Sequence, residues 1–167
     1  MDIAYIGIGS NLAEPRAQVH AALRALAALP RTRVLRQSRL YRSAPWGLRD
    51  QPEFVNAVAQ LETALQPRAL LEALLGVERA AGRRRDGTRW GPRVLDLDIL
   101  LYGDRVLDEH GLRVPHPHLA ERAFVLLPLA EIAPELSVPG LARVDALLQR
   151  IDRSGCVVLE PEPVLAE

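Results

Sequence analysis

Strand-like and helix-like periodicities alternate along much of the chain, and their order limits the possible folds more than any single residue does. Residues 2–9 resemble a buried strand, and Pro15 then opens a stretch whose apolar residues recur at helical spacing. Residues 32–41 and 54–63 have the β-branched, alternating character of two further strands. A second helical pattern follows from Pro67, and a fourth strand-like run comes after it.

The order strand, helix, strand, strand, helix, strand is that of the ferredoxin-like split βαβ arrangement. We therefore predict an α+β fold in which helices pack on one face of an antiparallel sheet. The patterns weaken afterwards, and we expect a hairpin near 105–114, a helix over about 123–132 and loosely defined C-terminal additions. With 167 residues, 49% of them hydrophobic, the chain suits one domain over residues 1–167.

Composition excludes several function classes. The 21 basic residues balance 21 acidic ones, so no overall charge would draw the protein onto nucleic acid or an anionic membrane. Every basic residue is Arg, which removes the phosphate-binding lysine of a P-loop and any Schiff-base chemistry. Cys156 is the only cysteine, which fits a reducing compartment. No stretch has the pattern of a signal peptide or a membrane span. We expect a cytoplasmic protein.

Two aspartates, Asp96 and Asp98, interrupt the apolar run WGPRVLDLDILLY. Asp is poorly suited to a strand because its short carboxylate competes for the backbone and resists burial. Successive strand side chains point to opposite faces, so both carboxylates share one face while Leu95, Leu97 and Ile99 cover the other. Divalent cations relieve the repulsion of such a pair, and Mg²⁺ favours one or two carboxylates plus phosphate oxygens. The pair indicates a metal–phosphate site, with an exposed edge strand as the alternative.

Arginines and glycines crowd the segment before this strand. Such a loop could close over phosphates and present guanidinium groups to them, although a solvated basic loop is the alternative. Its basic residues are Arg79, Arg83, Arg84, Arg85, Arg89 and Arg93. His116 and His118 are spaced like zinc ligands, but no third nitrogen or sulfur ligand is evident nearby.

Three residues suit a planar heterocycle. Asn56 interrupts the third strand, and its amide offers both donors and acceptors, although an ordinary polar position on a strand face is the alternative. Phe54 and Phe124 are the only phenylalanines; core packing is their default role, but two such rings can also enclose a planar ligand. The G-x-G of YIGIGSNL has too few glycines for a dinucleotide fingerprint.

Four segments together resemble the 6-hydroxymethyl-7,8-dihydropterin pyrophosphokinase family of folate biosynthesis. They are AYIGIGSNL, YRSAPWGLRDQPEFVNAV, RWGPRVLDLDILLYG and VPHPHLAERAFVLLPLAEIAP, and they occur in the family's order and spacing from about residue 4 to residue 135. The third segment is the most diagnostic. Pro117 departs from the pattern, because some relatives carry there a side chain able to reach phosphate.

The resemblance implies a ferredoxin-like enzyme that moves the β,γ-diphosphate of ATP onto the hydroxymethyl oxygen of the pterin and releases AMP. The enzyme would be a monomer with ATP and 6-hydroxymethyl-7,8-dihydropterin as its substrates. By similarity, Asp96 and Asp98 would hold two Mg²⁺ ions, and Arg83 and Arg93 would act with them in catalysis. Positions that resemble the pterin pocket are Ser43, Trp46, Phe54, Asn56 and Phe124. Positions that resemble the ATP site are Glu78, Arg83, Arg85, Trp90, Arg93, Ile99, His116 and Arg122.

Two other classes remain as alternatives. A different two-metal enzyme, such as a phosphohydrolase or nuclease, could use the same aspartates, but it would need a water-activating group that the sequence does not reveal. A ferredoxin-like module that binds RNA would need an aromatic and basic sheet motif, which is missing.

Overall fold

The computed structural model describes residues 1–12, 14–44, 52–82 and 94–159. Within them the strands and helices follow the predicted order, and the predicted hairpin and the helix after it are present. In chain order the elements are β1 (Asp2–Ser10), α1 (Pro15–Ala27), β2 (Thr32–Gln37), β3 (Tyr41–Ser43), β4 (Phe54–Thr63), α2 (Pro67–Ala80), β5 (Asp96–Tyr102), β6 (Leu107–Glu109), β7 (Leu112–Val114), a 3-10 turn (Leu119–Glu121), α3 (Ala123–Ile132), α4 (Val144–Leu148) and β8 (Cys156–Val158).

A six-stranded sheet forms the centre of the molecule. Its order is β5-β1-β4-β3-β8, and β2 pairs with the other half of β4. All of these pairs are antiparallel. The connections through α1 and α2 each pass over one neighbouring strand, which brings β1 and β4 to the centre of the sheet. This is the ferredoxin-like split βαβ arrangement, and the predicted fold class is confirmed.

Helices α1 and α2 cover one face of the sheet. Each has Pro in its first turn, at Pro15 and Pro67, where the missing N–H is harmless because the first N–H groups of a helix have no helical partner. The buried stripes include Val19, Leu23, Leu26, Leu70 and Leu74. The longest described helix, α2, has 14 residues, and no described helix is long and apolar enough to cross a membrane.

The C-terminal additions form a layer on the opposite face, which the sequence patterns did not predict. Leu126 and Leu129 of α3 are fully buried in one apolar cluster with Val58 and Leu100 of the sheet. Helix α4 packs against α3. The layer leaves a cavity near one end of β5, and that cavity contains the site described below.

The single strand predicted over 32–41 is two strands, β2 and β3, and this part of the prediction is wrong. Ser38 separates them: its Oγ accepts the N–H of Val58 at 2.9 Å and donates to the carbonyl of Arg39 at 2.7 Å. The hydroxyl therefore takes the place of a backbone acceptor in the ladder with β4. Between Gln37, which pairs with Ala59, and Tyr41, which pairs with Asn56, this side of the ladder holds one extra residue, and β2 and β3 pair with different halves of β4.

Candidate active site

Two rows of paired residues cross the centre of the sheet on the α3 side. Gly9 of β1 lies between Asp96 of β5 and Asn56 of β4, and Gly7 lies opposite Asp98. Paired residues on neighbouring strands project to the same face, so the aspartates and the asparagine share one surface. The strand register thus explains how residues forty positions apart in sequence meet.

Position 9 requires a glycine because neighbouring side chains approach its backbone closely. A Cβ at that position would lie 3.1 Å from Oδ1 of Asn56 and 3.8 Å from Cδ1 of Phe54. The G-x-G of the first strand therefore makes room between the carboxylates and the amide. Sequence reasoning tested this motif only as a dinucleotide fingerprint and missed this role.

The predicted residues meet around one cavity of about 380 Å³. The charged and polar residues that line it include Asn56, Glu78, Asp96, Asp98, His116, His118 and Arg122. Phe54 and Phe124 supply two aromatic walls. Within the described residues, the cavity thus combines an amide, two rings, two adjacent carboxylates and a guanidinium group.

The amide of Asn56 is fixed in one orientation. Its Nδ2 donates to Oγ of Ser43 at 2.7 Å, and both residues are 4% exposed. Ser43 belongs to β3, which pairs with the first residues of β4. Ser43 is not among the lining residues and acts on the cavity through Asn56. A buried, oriented amide is suited to recognise the edge of a heterocycle because it offers a donor and an acceptor side by side.

Phe124 opens α3 and faces the same cavity. The guanidinium carbon of Arg122 lies 5.5 Å from the centre of its ring, within the range of a cation–π contact. Arg122 is buried, and burial lowers its pKa, whereas Asp98 and Asp96 act in the opposite direction. An arginine keeps its proton even so, and Arg122 therefore places a positive charge near the two carboxylates.

The two aspartates face the cavity, as predicted from strand alternation. Asp96 and Asp98 are half-buried, whereas Leu97 and Ile99 are buried in the core beneath α1 and α2. Among the described residues no cluster of three or more acidic, His or Cys side chains could hold a metal ion. Two carboxylates alone suit Mg²⁺, which takes its remaining ligands from water and phosphate. The donor set fits that cation.

His116 is a neutral ring in this site, with its Nε2 turned towards Asp98. Its Nδ1 accepts the N–H of His118 at 3.2 Å, so the ring proton lies on Nε2, which is 3.9 Å from Oδ1 of Asp98. Burial lowers the pKa of His116 to about 4; Arg122 and His118 add to this effect, and Asp96 opposes it. The uncharged ring can donate through Nε2 without adding to the charge of the site.

Glu78 has a structural contact that the sequence did not predict. Its side chain comes from the last turn of α2, is 2% exposed, and accepts the N–H of Leu97 through Oε2 at 2.8 Å. Leu97 lies between the two aspartates, so Glu78 fixes the strand on which they stand. Glu78 also lines the cavity.

Other predicted site residues are placed differently. The side chain of Ile99 is buried in the core beneath α1 and α2 and does not line the cavity. Five predicted residues lie outside the described part of the chain: Trp46, Arg83, Arg85, Trp90 and Arg93.

Comparisons with known proteins identify the family of the chain. A family model described as 7,8-dihydro-6-hydroxymethylpterin-pyrophosphokinase (HPPK) matches residues 5–134. Two proteins named 2-amino-4-hydroxy-6-hydroxymethyldihydropteridine pyrophosphokinase are similar over most of their length. The one from Pseudomonas aeruginosa is 55% identical over 86% of this chain and 88% of its own. The one from Haemophilus influenzae is 44% identical over 96% of this chain and 100% of its own.

Solved structures support the fold. The wild-type HPPK-DHPS of Plasmodium falciparum with pteroate superposes with a TM-score of 0.72 at 13% identity. The match covers 89% of this chain and 42% of that longer one, so this chain spans less than half of it. At such low identity the likeness shows the fold alone, whereas the family model and the close relatives show the family. The chain therefore belongs to the 7,8-dihydro-6-hydroxymethylpterin-pyrophosphokinase family.

Proposed function

We propose that this chain transfers the β,γ-diphosphate of ATP to the hydroxymethyl oxygen of 6-hydroxymethyl-7,8-dihydropterin, giving the pterin diphosphate and AMP in folate biosynthesis. The curated relatives carry the name of that pyrophosphokinase. The observation that carries the proposal is the row Asp96, Gly9 and Asn56, which sets a carboxylate and an oriented amide beside each other in one cavity. Family membership argues against the nuclease and RNA-binding alternatives.

Asp96 and Asp98 are the residues that would hold two Mg²⁺ ions. Such ions, when bound, neutralise phosphate charge and lower the pKa of the accepting hydroxyl. The half-buried position of both carboxylates keeps them accessible from the cavity and close to buried Arg122. The proximity of opposite charges limits the repulsion between the aspartates before a substrate arrives.

The remaining chemistry is positioning and charge neutralisation. Attack on a phosphorus that carries several negative oxygens needs in-line alignment and positive groups more than a nucleophilic side chain. Arg122 supplies a guanidinium group at the cavity and His116 a neutral N–H donor. By resemblance, Arg83 and Arg93 act on the transferred phosphates, and Glu78, Arg85 and Trp90 belong to the ATP site.

The pterin occupies the part of the cavity formed by β4 and α3. Asn56 binds its polar edge, with the amide orientation set by Ser43. Phe54 and Phe124 stack on the two faces of the planar bicycle, which adds about 0.5–1.5 kcal/mol per ring pair beyond burial. Trp46 joins this pocket by resemblance. We also propose that the enzyme is a monomer, that it is cytoplasmic, and that it acts only on small molecules.

The test is a coupled measurement of nucleotide and pterin products. Purified protein with ATP, Mg²⁺ and hydroxymethyldihydropterin should form AMP and pterin diphosphate in equal amounts. Omission of the pterin should abolish AMP formation. Hydrolysis of ATP at the same rate without pterin would contradict the proposal and favour a phosphohydrolase.

A further inference from the structure

Glu131 joins α3 to the segment that leads into β3. Its Oε1 accepts the hydroxyl of Tyr41 at 2.6 Å, and its Oε2 accepts the backbone N–H of Arg39 at 3.0 Å. The Nε of Arg39 reaches Oε1 at 3.3 Å. A neighbouring bond from Arg36 to the carbonyl of Ile132, at 3.0 Å, strengthens the same junction. One carboxylate thus ties two separate segments together.

The two segments carry opposite walls of the proposed pterin pocket. Phe124 lies seven residues before Glu131 in α3, which is about two helical turns and therefore the same side of the helix. Tyr41 begins β3, which ends at Ser43, the residue that fixes the amide of Asn56. Tyr41 is also the direct partner of Asn56 in the strand register.

We propose that Glu131 is a positioning residue for the pterin, because it fixes the separation between Phe124 on α3 and Asn56 on the sheet. The inference rests on the proposed function and deepens it. Glu131 holds β3 through the Tyr41 hydroxyl, and Ser43 at the end of β3 holds the Asn56 amide. Loss of the carboxylate leaves the cavity in place but loosens one wall against the other.

The environment of Tyr41 supports this role. Tyr41 is 5% exposed, and its hydroxyl donates to the carboxylate in a partly buried hydrogen bond. Burial, followed by the hydrogen bond to Glu131, raises the pKa of Tyr41, so the hydroxyl remains a donor throughout the usual pH range. A charge-assisted hydrogen bond of this kind is stronger than one between neutral groups. The ion pair with Arg39 contributes less, because Arg39 is exposed.

A matched control distinguishes positioning from general stabilisation. Glu62 forms a similar ion pair with Arg33, at 3.0 Å, between β4 and β2, and it does not line the cavity. The side chains of Glu131 and Glu62 are 24% and 28% exposed, so the two carboxylates are comparably accessible, although Glu131 accepts three hydrogen bonds and Glu62 accepts one. If Glu131 only stabilises the sheet, both substitutions have the same consequences for the two substrates.

The experiment measures pterin Kd by calorimetry and the KM for each substrate in five variants, of which Asn56→Ala tests the pocket itself. Glu131→Ala and Tyr41→Phe should each raise the pterin Kd by up to about tenfold, because a loosened pocket must be ordered when the ligand binds. The KM for ATP should change less, within about twofold, because the two aspartates on β5 and Glu78 on α2 stand on elements that the hydrogen bonds of Glu131 do not reach. Glu131→Gln should recover part of the affinity, since its amide oxygen can still accept the Tyr41 hydroxyl but its amide nitrogen cannot accept the N–H of Arg39. Glu62→Ala should leave both substrates unaffected.

Asn56→Ala separates the failure of this inference from the failure of the proposed function. If Asn56→Ala weakens pterin binding while Glu131→Ala and Tyr41→Phe do not, the positioning role is wrong and the pocket assignment stands. If none of the three weakens it, the pocket assignment itself is wrong. Equal rises in both KM values for Glu131→Ala also overturn the positioning role. Tyr41→Phe removes only a hydroxyl and decides the question if Glu131→Ala does not fold.

Discussion

At the scale of single residues, the site depends on side chains whose orientation is fixed before a ligand binds. The amide of Asn56 cannot rotate freely, because Ser43 accepts an Nδ2 proton while Oδ1 lies against Gly9. A preorganised amide loses little conformational entropy on binding, so its hydrogen bonds to a ligand retain most of their free energy. The affinity for pterin should therefore depend strongly on this residue.

Asn56→Ala should weaken pterin binding by about 1–3 kcal/mol, because the polar edge of the ligand is left unpaired in a buried site. ATP binding should change much less. Calorimetric titration with each ligand measures both effects. Gln60→Ala is the control, since Gln60 lies on the same strand but its amide donates to Tyr5 outside the cavity. Unchanged pterin affinity in Asn56→Ala would remove the residue from the site.

The neutral state of His116 makes a prediction about stability and pH. Its pKa in the folded protein is about 4, below the ordinary value of 6.5. As pH falls from 6.5 towards 4, the unfolded chain binds a proton at this residue and the folded protein does not. The free energy of unfolding should therefore fall in that window, by at most about 3 kcal/mol from this one group, and should be unaffected by it at higher pH.

His116→Asn should flatten this part of the pH profile, because Asn cannot titrate but its Oδ1 can still accept the N–H of His118. Urea unfolding at several pH values without metal measures the difference between the variant and the original protein. The same slope in both proteins would contradict the lowered pKa of His116 in the folded state.

At the scale of elements, α2 and β5 are joined by a buried carboxylate as well as by apolar packing. Glu78→Ala should destabilise the protein by about 1–3 kcal/mol, because the N–H of Leu97 loses its partner inside the protein. Glu78→Gln keeps an acceptor and should cost less. Urea unfolding distinguishes them, and equal stability of the Ala variant and the original protein would mean that the contact contributes nothing.

Sequence periodicity predicted the elements that bury a regular apolar face. It failed for elements that are very short or that are set by a single side chain. The bounds of α3 and of β4 follow the expected ones because many apolar side chains define them. The break between β2 and β3 lies at Ser38, whose hydroxyl accepts the N–H of Val58. A single hydroxyl leaves no periodic pattern in the sequence. Helix α4 and strand β8 have five and three residues, too few for a period, and β8 is defined by pairing with β3.

At the scale of the whole molecule, the site is assembled by sheet register. D-x-D predicted a shared face for Asp96 and Asp98, but the approach of Asn56 depends on the pairing of β1 with both β4 and β5. Such pairing is a long-range property that single-sequence patterns do not contain. The family resemblance implied such positions, and among the described ones all but Ser43 and Ile99 line one cavity. The sequence patterns did not predict the hydrogen bonds by which Glu131 joins α3 to Arg39 and Tyr41.

The most direct test of the central claim is the rate of pterin-dependent AMP formation by Asp96→Asn and Asp98→Asn across a range of Mg²⁺ concentrations. Each variant keeps the size of the side chain and removes one negative charge, so the fold should survive, as urea unfolding can verify. Turnover should fall by about 10²-fold or more, a barrier increase of roughly 3 kcal/mol or above, while pterin binding without nucleotide changes little. Turnover close to that of the original protein in both variants would contradict the assignment of these carboxylates to the metal–phosphate site.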